Sequence, residues 1–400
     1  MLVADLLRLL SRLLTASHHA RPEDVAAAIT RFAPLVNARE VVVYLVDYDQ
    51  RQLRPLPGPE APARAPIAVD GTLPGRAFAL TEIYETRDEH AHRLWVPLLN
   101  GTERLGVLEA VTDAISDQHR HDLPLVASLL AELVMTRRAY GDAVELTRRR
   151  QPMQLAAEVL WNLLPPLTFI GCDIAVSAVL EPCYDVGGDA FDYAVNGDIL
   201  RLAIFDAAGH GLDASTITSL AINAYRNARR GGLDLAEIYN SVDGWIARKH
   251  PHAFVTAVLC ELNAATGALR RISAGHPAEL LLRDGKLVTE FVAPTALPLG
   301  LGRRFGRSPT VTEETLQPGD RILLYTDGVI EARTLDNEFF GTARLVEFIT
   351  RALADQLSAP ETMRRLVHAI LDYQDGQLQD DASAVLVEWQ PTATSGSPPY

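Results

Sequence analysis

The chain has 400 residues, 48% hydrophobic and 22% charged, with a formal net charge of −14 at pH 7. That length exceeds one ordinary core and predicts two or three domains, and the negative balance excludes a general nucleic-acid binder, which would present a basic surface. Cys172, Cys183 and Cys260 have the spacing of neither a zinc site nor a disulfide framework and read as buried reduced thiols.

Asp5, Arg8 and Arg12 interrupt the apolar N-terminus, so it lacks the unbroken core of a signal peptide, while Leu6, Leu9, Leu10 and Leu13 follow helical spacing. No later stretch is long and apolar enough to span a bilayer, so a cytoplasmic location without a membrane partner is expected. Residues 1–137 read as a first domain. Helices around 6–15 and 22–36, the second with Glu23 and Asp24 in its first turn, precede an apolar strand at 40–47. A proline-rich loop covers 55–66. Strands at 94–98 and 104–111 flank Asn100-Gly101, a hairpin signal, and a long helix from about Asp122 closes the domain. This order, with Leu73-Pro74-Gly75-Arg76-Ala77-Phe78 between strand and hairpin, resembles a GAF sensor domain. The Asn-Lys-Phe-Asp-Glu motif of its cyclic-nucleotide-binding members is absent, so the signal is left unidentified. His18, His19, His90 and His92 read as ordinary surface histidines rather than haem or metal ligands.

Residues 138–165 read as a helical linker. Arg148-Arg149-Arg150 suggests a solvated face, and Met153, Ala156, Val159, Leu160 and Leu163 share one face of a helix starting at Pro152. That helix is either a plain packing element or one that transmits a signal and dimerises the chain. Residues 166–389 read as a second domain. Strands are predicted at 173–180, 198–205, 254–262, 269–274, 279–282, 286–292, 321–325 and 384–388, and helices at 214–229, 235–250, 342–353 and 360–373. Tight turns such as Asp284-Gly285 point to antiparallel sheets, and helices gathered between the strands make this α+β. Residues 390–400 read as a disordered tail.

The chemistry-bearing residues are acids beside glycines or strand ends: Asp189 after Gly187-Gly188, Asp206 ahead of Gly209-His210-Gly211, Asp327 before Gly328, and the pair Asp380-Asp381. Any one of them alone would read as a solvated terminus or a helix cap. Together they suit magnesium or manganese, which prefer oxygen ligands. Two such ions can clamp a phosphoryl group and acidify a shared water. The residues alone therefore point to a metal-dependent phosphoester site. No Ser-His-Asp order, phosphate-binding loop or nucleophile elbow competes.

Leu163-Leu164-Pro165, the run from Glu181 to Asp189, the run from Asp206 to Gly211, Ala274-Gly275-His276-Pro277, Leu299-Gly300, the run from Tyr325 to Ala332 and Asp380-Asp381 follow one another in an order that resembles a known family. It is the bacterial PP2C-like serine/threonine phosphatases of sporulation and stress-response sigma-factor control. The resemblance implies a sandwich of two antiparallel sheets flanked by helices, with two Mn²⁺ or Mg²⁺ ions at one edge. Asp206 would bridge the ions and the Ala207 carbonyl would add a ligand. Asp327 and Asp380 would complete one metal, Asp189 would hold the other directly or through water, and Asp381 would neighbour the site. An activated water would attack phosphoserine or phosphothreonine in line. The implied substrate is a phosphorylated anti-sigma-factor antagonist; the helices joining the domains add the expectation of a sensor-controlled homodimer. Two departures from the family pattern, Ala190-Phe191 after Asp189 and Ala382-Ser383 after Asp381, touch packing more than ligation. His210 is open between loop structure and acid catalysis, and His276 reads as a locally bonded turn residue. The alternative is a phosphatase fold kept as a scaffold that grips a regulatory partner without turnover; the complete set of four acids favours catalysis.

Overall fold

The computed structural model describes residues 15, 21, 24–59, 61–87, 91–171, 173–291, 295–374 and 380–391. The helix expected around Leu6, Cys172, His18, His19, His90 and the tail from residue 392 lie outside them. The chain divides into two compact units, Met1–Pro152 and Met153–Tyr400.

The first unit is built on a six-stranded antiparallel sheet in the order β3-β2-β1-β6-β5-β4. Its elements are α1 (Val25–Thr30), β1 (Glu40–Val46), β2 (Gln52–Pro55), β3 (Ile67–Ala68), α2 (Leu73–Leu80), β4 (Tyr84–Arg87), β5 (His92–Asn100), β6 (Glu103–Thr112), α3 (Asp117–Arg138) and α4 (Ala143–Arg148). The unbroken apolar run of β1 is explained by burial on both faces. Val41, Val43 and Leu45 join the core under α1 and α3, whereas Val42, Tyr44 and Val46 join a second one with Phe78 of α2 and Trp95. The hairpin turns at Gly101, whose φ of 58° lies in the left-handed region. Helix α3 starts ahead of Asp122 because Ser116 caps it, its hydroxyl accepting from the His119 backbone N–H. His92 opens β5.

The expected linker, 138–165, is divided between the units. Arg148 ends α4 and is buried, not solvated: its Nε donates to the Val46 carbonyl at 3.1 Å and its guanidinium stacks on Tyr48. The next helix, α5 (Leu155–Trp161), begins after Pro152, with Ala156, Ala157 and Leu160 buried.

The second unit continues with β7 (Thr168–Ile170), β8 (Ile174–Glu181), β9 (Asp189–Asn196), β10 (Ile199–Ala207), α6 (Gly211–Arg230), α7 (Leu235–Lys249), β11 (Val255–Asn263) and β12 (Ala268–Ala274). It is completed by β13 (Leu280–Arg283), β14 (Lys286–Glu290), β15 (Thr312–Thr315), β16 (Arg321–Tyr325), α8 (Asp327–Ile330), α9 (Gly341–Ala354), α10 (Ala359–Tyr373) and β17 (Ala382–Trp389). Two antiparallel sheets, β15-β12-β11-β10-β9 and β14-β13-β16-β17-β8-β7, lie face to face. Val176, Ile204, Val258, Leu324 and Val385 fill the space between them. Helices α6 and α7 cover the first sheet through Tyr225 and Tyr239, and α9 and α10 cover the second through Leu345, Met363 and Leu366. This is the α+β sandwich that the sequence predicts. Among the described residues no helix is long and apolar enough to cross a membrane.

Candidate metal centre

Strand periodicity decides where the acids go. Along β10, Leu200, Leu202 and Ile204 face the space between the sheets, while Ala203, Phe205 and Ala207 face the helices. The period of two puts Asp206 on the inner face, at the end of the strand. The same parity carries Phe191 of β9 back to Asp189, Leu324 of β16 forward to Thr326, Val385 of β17 back to Ser383 and Asp381, and Val258 of β11 back to Thr256. Five strands of both sheets thus deliver polar residues to one mouth of the sandwich. Asp189 and Asp206 lie directly opposite each other across the β9–β10 pair.

As with the short strands β7 and β15, sequence reasoning missed strand β9, which delivers Asp189. Asp192 interrupts its apolar run and hides its period, but that carboxylate is buried against Arg226 of α6 at 2.6 Å and Arg229 at 3.2 Å. Asp189 therefore opens a strand instead of lying in a glycine loop. Asp327 opens the short helix α8 directly after β16.

Close backbone approach at the mouth requires the motif glycines. A Cβ on Gly188 would lie 2.8 Å from the Ala207 carbonyl oxygen, and one on Gly328 only 1.8 Å from that of Asp381. Asp381 Oδ2 accepts three backbone N–H groups, from Gly187 at 2.9 Å, Gly188 at 2.7 Å and Asp189 at 3.3 Å. One of its oxygens is thereby committed to holding the Gly187-Gly188-Asp189 turn. Asp380 is exposed, and its Oδ1 accepts from the Asp381 N–H.

Two threonines that the sequence reading gave no role buttress the acids. Thr326 Oγ1 donates to Asp189 Oδ2 at 2.6 Å and accepts from the Ser383 N–H at 2.9 Å. Thr256 Oγ1 lies 3.3 Å from Asp206 Oδ2 and 2.8 Å from His276 Nδ1. His276 is thus not a locally bonded turn residue. It is buried, its pKa is lowered by burial to about 3, and it bonds a side chain on the neighbouring strand that reaches Asp206. Position 326 was legible as the residue before a motif aspartate; Thr256 and His276, 20 positions apart, carried no local signal. His210 is exposed at the start of α6 without a side-chain capping bond.

The electrostatics are those of crowded anions. Burial, then the Asp327 charge, raises Asp206 to about 7. Burial, then Asp206 and Asp381, raises Asp189 well above the usual carboxylate range. Asp327 is raised by burial and by Asp380, and Asp381 mainly by burial. No Lys, Arg or His ion pair involves any of these acids among the described residues. No three of the described acid, imidazole or thiol side chains are gathered closely enough to hold one ion as they stand. The acids share an edge without converging on a point. The donor set, all oxygen, desolvated and mutually repelling, fits a hard divalent cation, whose charge would offset that repulsion.

Residues 196–390 match the family model "Stage II sporulation protein E (SpoIIE)". The chain is 22% identical to "Phosphoserine phosphatase RsbU" of Bacillus subtilis, over 60% of this chain and 70% of that protein. It is 26% identical to "Protein IcfG" of Synechocystis over 53% of this chain, but spans only 37% of IcfG. Among solved structures it is similar to the RsbU and RsbW domains of Rv1364c from Mycobacterium tuberculosis, with 26% identity, 56% of this chain and 62% of that one covered, and a TM-score of 0.48. The region 196–390, which carries Asp206, Asp327, Asp380 and Asp381 at one mouth of a two-sheet sandwich, is similar to the SpoIIE family of PP2C-type phosphatase domains.

Proposed function

We propose that the chain is a divalent-metal-dependent protein phosphatase that removes phosphate from phosphoserine or phosphothreonine of an anti-sigma-factor antagonist, under control of its N-terminal unit. The observation that carries this reading is the set of acids from four separate segments, desolvated together and without a cationic partner among the described residues. Mn²⁺ or Mg²⁺, general to PP2C phosphatases, would supply Lewis-acid charge at the phosphoryl oxygens and acidify a water. Asp206 would be the shared ligand and the Ala207 carbonyl a further one; Asp327 and Asp380 would help to hold one ion, and Asp189 the other directly or through water. Asp381 would act chiefly by fixing the backbone from Gly187 to Asp189. Thr326 would orient Asp189, and the Thr256–His276 pair would orient Asp206. The similarity to RsbU of Bacillus subtilis, a phosphoserine phosphatase, supports the substrate class.

The six-stranded sheet of the first unit, with helices α1 and α3 on one face and α2 on the other, supports a GAF-like sensor there. Control would pass through α5. The Gln154 N–H ahead of it donates to the Tyr184 carbonyl at 2.8 Å, and Trp161 Nε1 at its end donates to the Cys183 carbonyl at 2.7 Å. Both carbonyls belong to the segment that runs into Gly187, so displacing α5 would pull on Asp189. In this reading the chain works as a cytoplasmic homodimer.

Hydrolysis of para-nitrophenyl phosphate and of a phosphoserine protein, with Mn²⁺ and then with EDTA, tests the reaction. Turnover that needs the metal is expected. Absence of turnover by both the full chain and residues 153–400 would overturn it in favour of a binding scaffold. Control by the first unit predicts that deleting residues 1–152 changes the rate; an unchanged rate would refute that part.

A further inference from the structure

The arginines of the phosphatase unit are unevenly satisfied. Residues 153–400 contain seventeen arginines. Twelve have a carboxylate within 4.0 Å: Arg201, Arg226, Arg229, Arg270, Arg271 and Arg283, then Arg321, Arg333, Arg344, Arg351, Arg364 and Arg365. Of the five that lack one among the described residues, four fall together: Arg248 at the end of α7, and Arg303, Arg304 and Arg307 on the turn after Gly300. Exposed Lys249 adjoins them. In a chain of net charge −14, this is a local reversal of the field.

The patch is built, not a loose loop. Asp243 of α7 is 1% exposed, and its carboxylate accepts the N–H groups of Gly300, Gly302 and Arg303, each at 2.8 Å. Its charge is absorbed by backbone, which leaves the guanidiniums without a carboxylate partner among the described residues; Arg304 Nη1 donates to the Pro251 carbonyl at 3.3 Å. Tyr239 pins the start of the same segment by donating to the Leu297 carbonyl at 2.7 Å. Arg248 and Arg303 converge, with guanidinium nitrogens 3.1 and 3.4 Å from the point that a Cβ on Gly244 would occupy. Two cations gathered at one point of the surface attract an anionic partner. Exposed aromatic rings border the cations: Arg248 lies over Trp245 at 4.5 Å and Arg304 over Phe305 at 5.9 Å.

The patch adjoins the metal centre. Ala207 pairs with Val255, and Val255 bridges to Leu299, the residue ahead of the turn. The Phe254 carbonyl accepts the Ala208 N–H at 3.2 Å. Two strand spacings, about 10 Å, separate Ala207 from Leu299, and the arginine turn follows directly after Leu299 and Gly300. A phosphorylated residue placed at the acids would therefore bring the surface around it onto these arginines.

We propose that Arg248, Lys249, Arg303, Arg304 and Arg307, edged by Trp245 and Phe305, form the docking surface for the phosphoprotein substrate and select one whose phosphorylated residue is surrounded by aspartate and glutamate. This rests on the phosphatase reading above. The chain's net charge would otherwise repel such a partner, and the patch supplies complementarity where contact occurs.

The test uses the full chain, para-nitrophenyl phosphate, and two phosphoserine peptides of equal length, one flanked by Asp and Glu and the other by Lys and Arg. The wild-type chain is expected to prefer the acidic peptide in kcat/KM by about tenfold at low salt, with the preference collapsing at high salt. The combined Arg303→Glu, Arg304→Glu and Arg307→Glu variant should lose that preference through KM while keeping turnover of para-nitrophenyl phosphate within about twofold. The corresponding glutamine variant, which removes charge without reversing it, should fall between. Anisotropy of the labelled acidic peptide in EDTA reads docking without turnover, so a chain that binds it but hydrolyses nothing would fail the phosphatase reading and keep the surface. Equal use of both peptides, or equal binding by the triple variant, would overturn the proposal. Equally tight binding of a single-stranded oligonucleotide of the same charge would reassign the patch to nucleic acid.

Discussion

Both units bury carboxylates, and they treat them in opposite ways. In the first, Glu109 of β6 is 2% exposed and surrounded by partners: Arg93 Nε at 3.0 Å, Arg64 Nε at 3.3 Å and the Tyr44 hydroxyl at 3.1 Å. In the second, Asp189 is equally buried and, among the described residues, meets the Thr326 and Ser383 hydroxyls and other acids but no cation. A paired acid is part of the architecture, because its charge is compensated inside the fold. A group of unpaired acids costs the fold stability, and a chain that keeps one at a strand end has a use for the negative charge. Asp192, three residues along β9 from Asp189 and clasped by two arginines, shows that this unit also compensates an acid where the role is structural.

That contrast breaks most sharply at Asp206. Asp206→Asn should lower Mn²⁺-dependent turnover of para-nitrophenyl phosphate on the order of 10³-fold, yet raise the Tm of the EDTA-treated chain, since it removes repulsion. Lost turnover with lowered Tm would mean that the acid is structural. The opposite pattern is expected at Glu109→Gln: a loss of about 1–3 kcal/mol in urea unfolding of the first unit, with metal-dependent turnover per folded molecule retained.

Thr326→Val should raise the Mn²⁺ concentration needed for half-maximal turnover about tenfold, the worth of one hydrogen bond to a charged group, and Thr326→Ser should restore it. If serine rescues nothing, the threonine methyl, not its hydroxyl, matters. The smallest effect concerns pH. Asp206 is raised from 3.8 to about 7, so the folded chain holds that proton more tightly than the unfolded one. Its contribution to stability is present in acid and is lost as pH rises through about 7. The EDTA-treated chain should therefore lose Tm between about pH 5 and pH 7.5, and Mn²⁺, which takes ionised carboxylates, should restore more at the higher pH. A metal-induced shift that shrinks with rising pH would contradict this.

Much of this was legible in the sequence because it is local. The strands at β8, β10, β11, β12, β13 and β16 and the helices α6, α7, α9 and α10 announce themselves by period and turn chemistry. The acids announce themselves by their glycines, which backbone contacts at Gly188 and Gly328 explain. What stayed hidden was non-local. Strand β9 is masked by Asp192, whose partners lie 34 or more positions away on α6. Arg148 read as a solvated cation because the Tyr48 ring and Val46 carbonyl that receive it lie a hundred residues earlier. His276 read as a turn residue because nothing near it in sequence names Thr256.

The most direct test of the account is calorimetric titration of Mn²⁺ into the EDTA-stripped full chain at mildly alkaline pH, beside the Asp206→Asn variant. Saturable binding by the wild-type chain, weakened at least about tenfold in the variant, is the predicted result. Identical isotherms, or no binding by the wild-type chain, would contradict the claim that these unpaired acids are a divalent-cation centre.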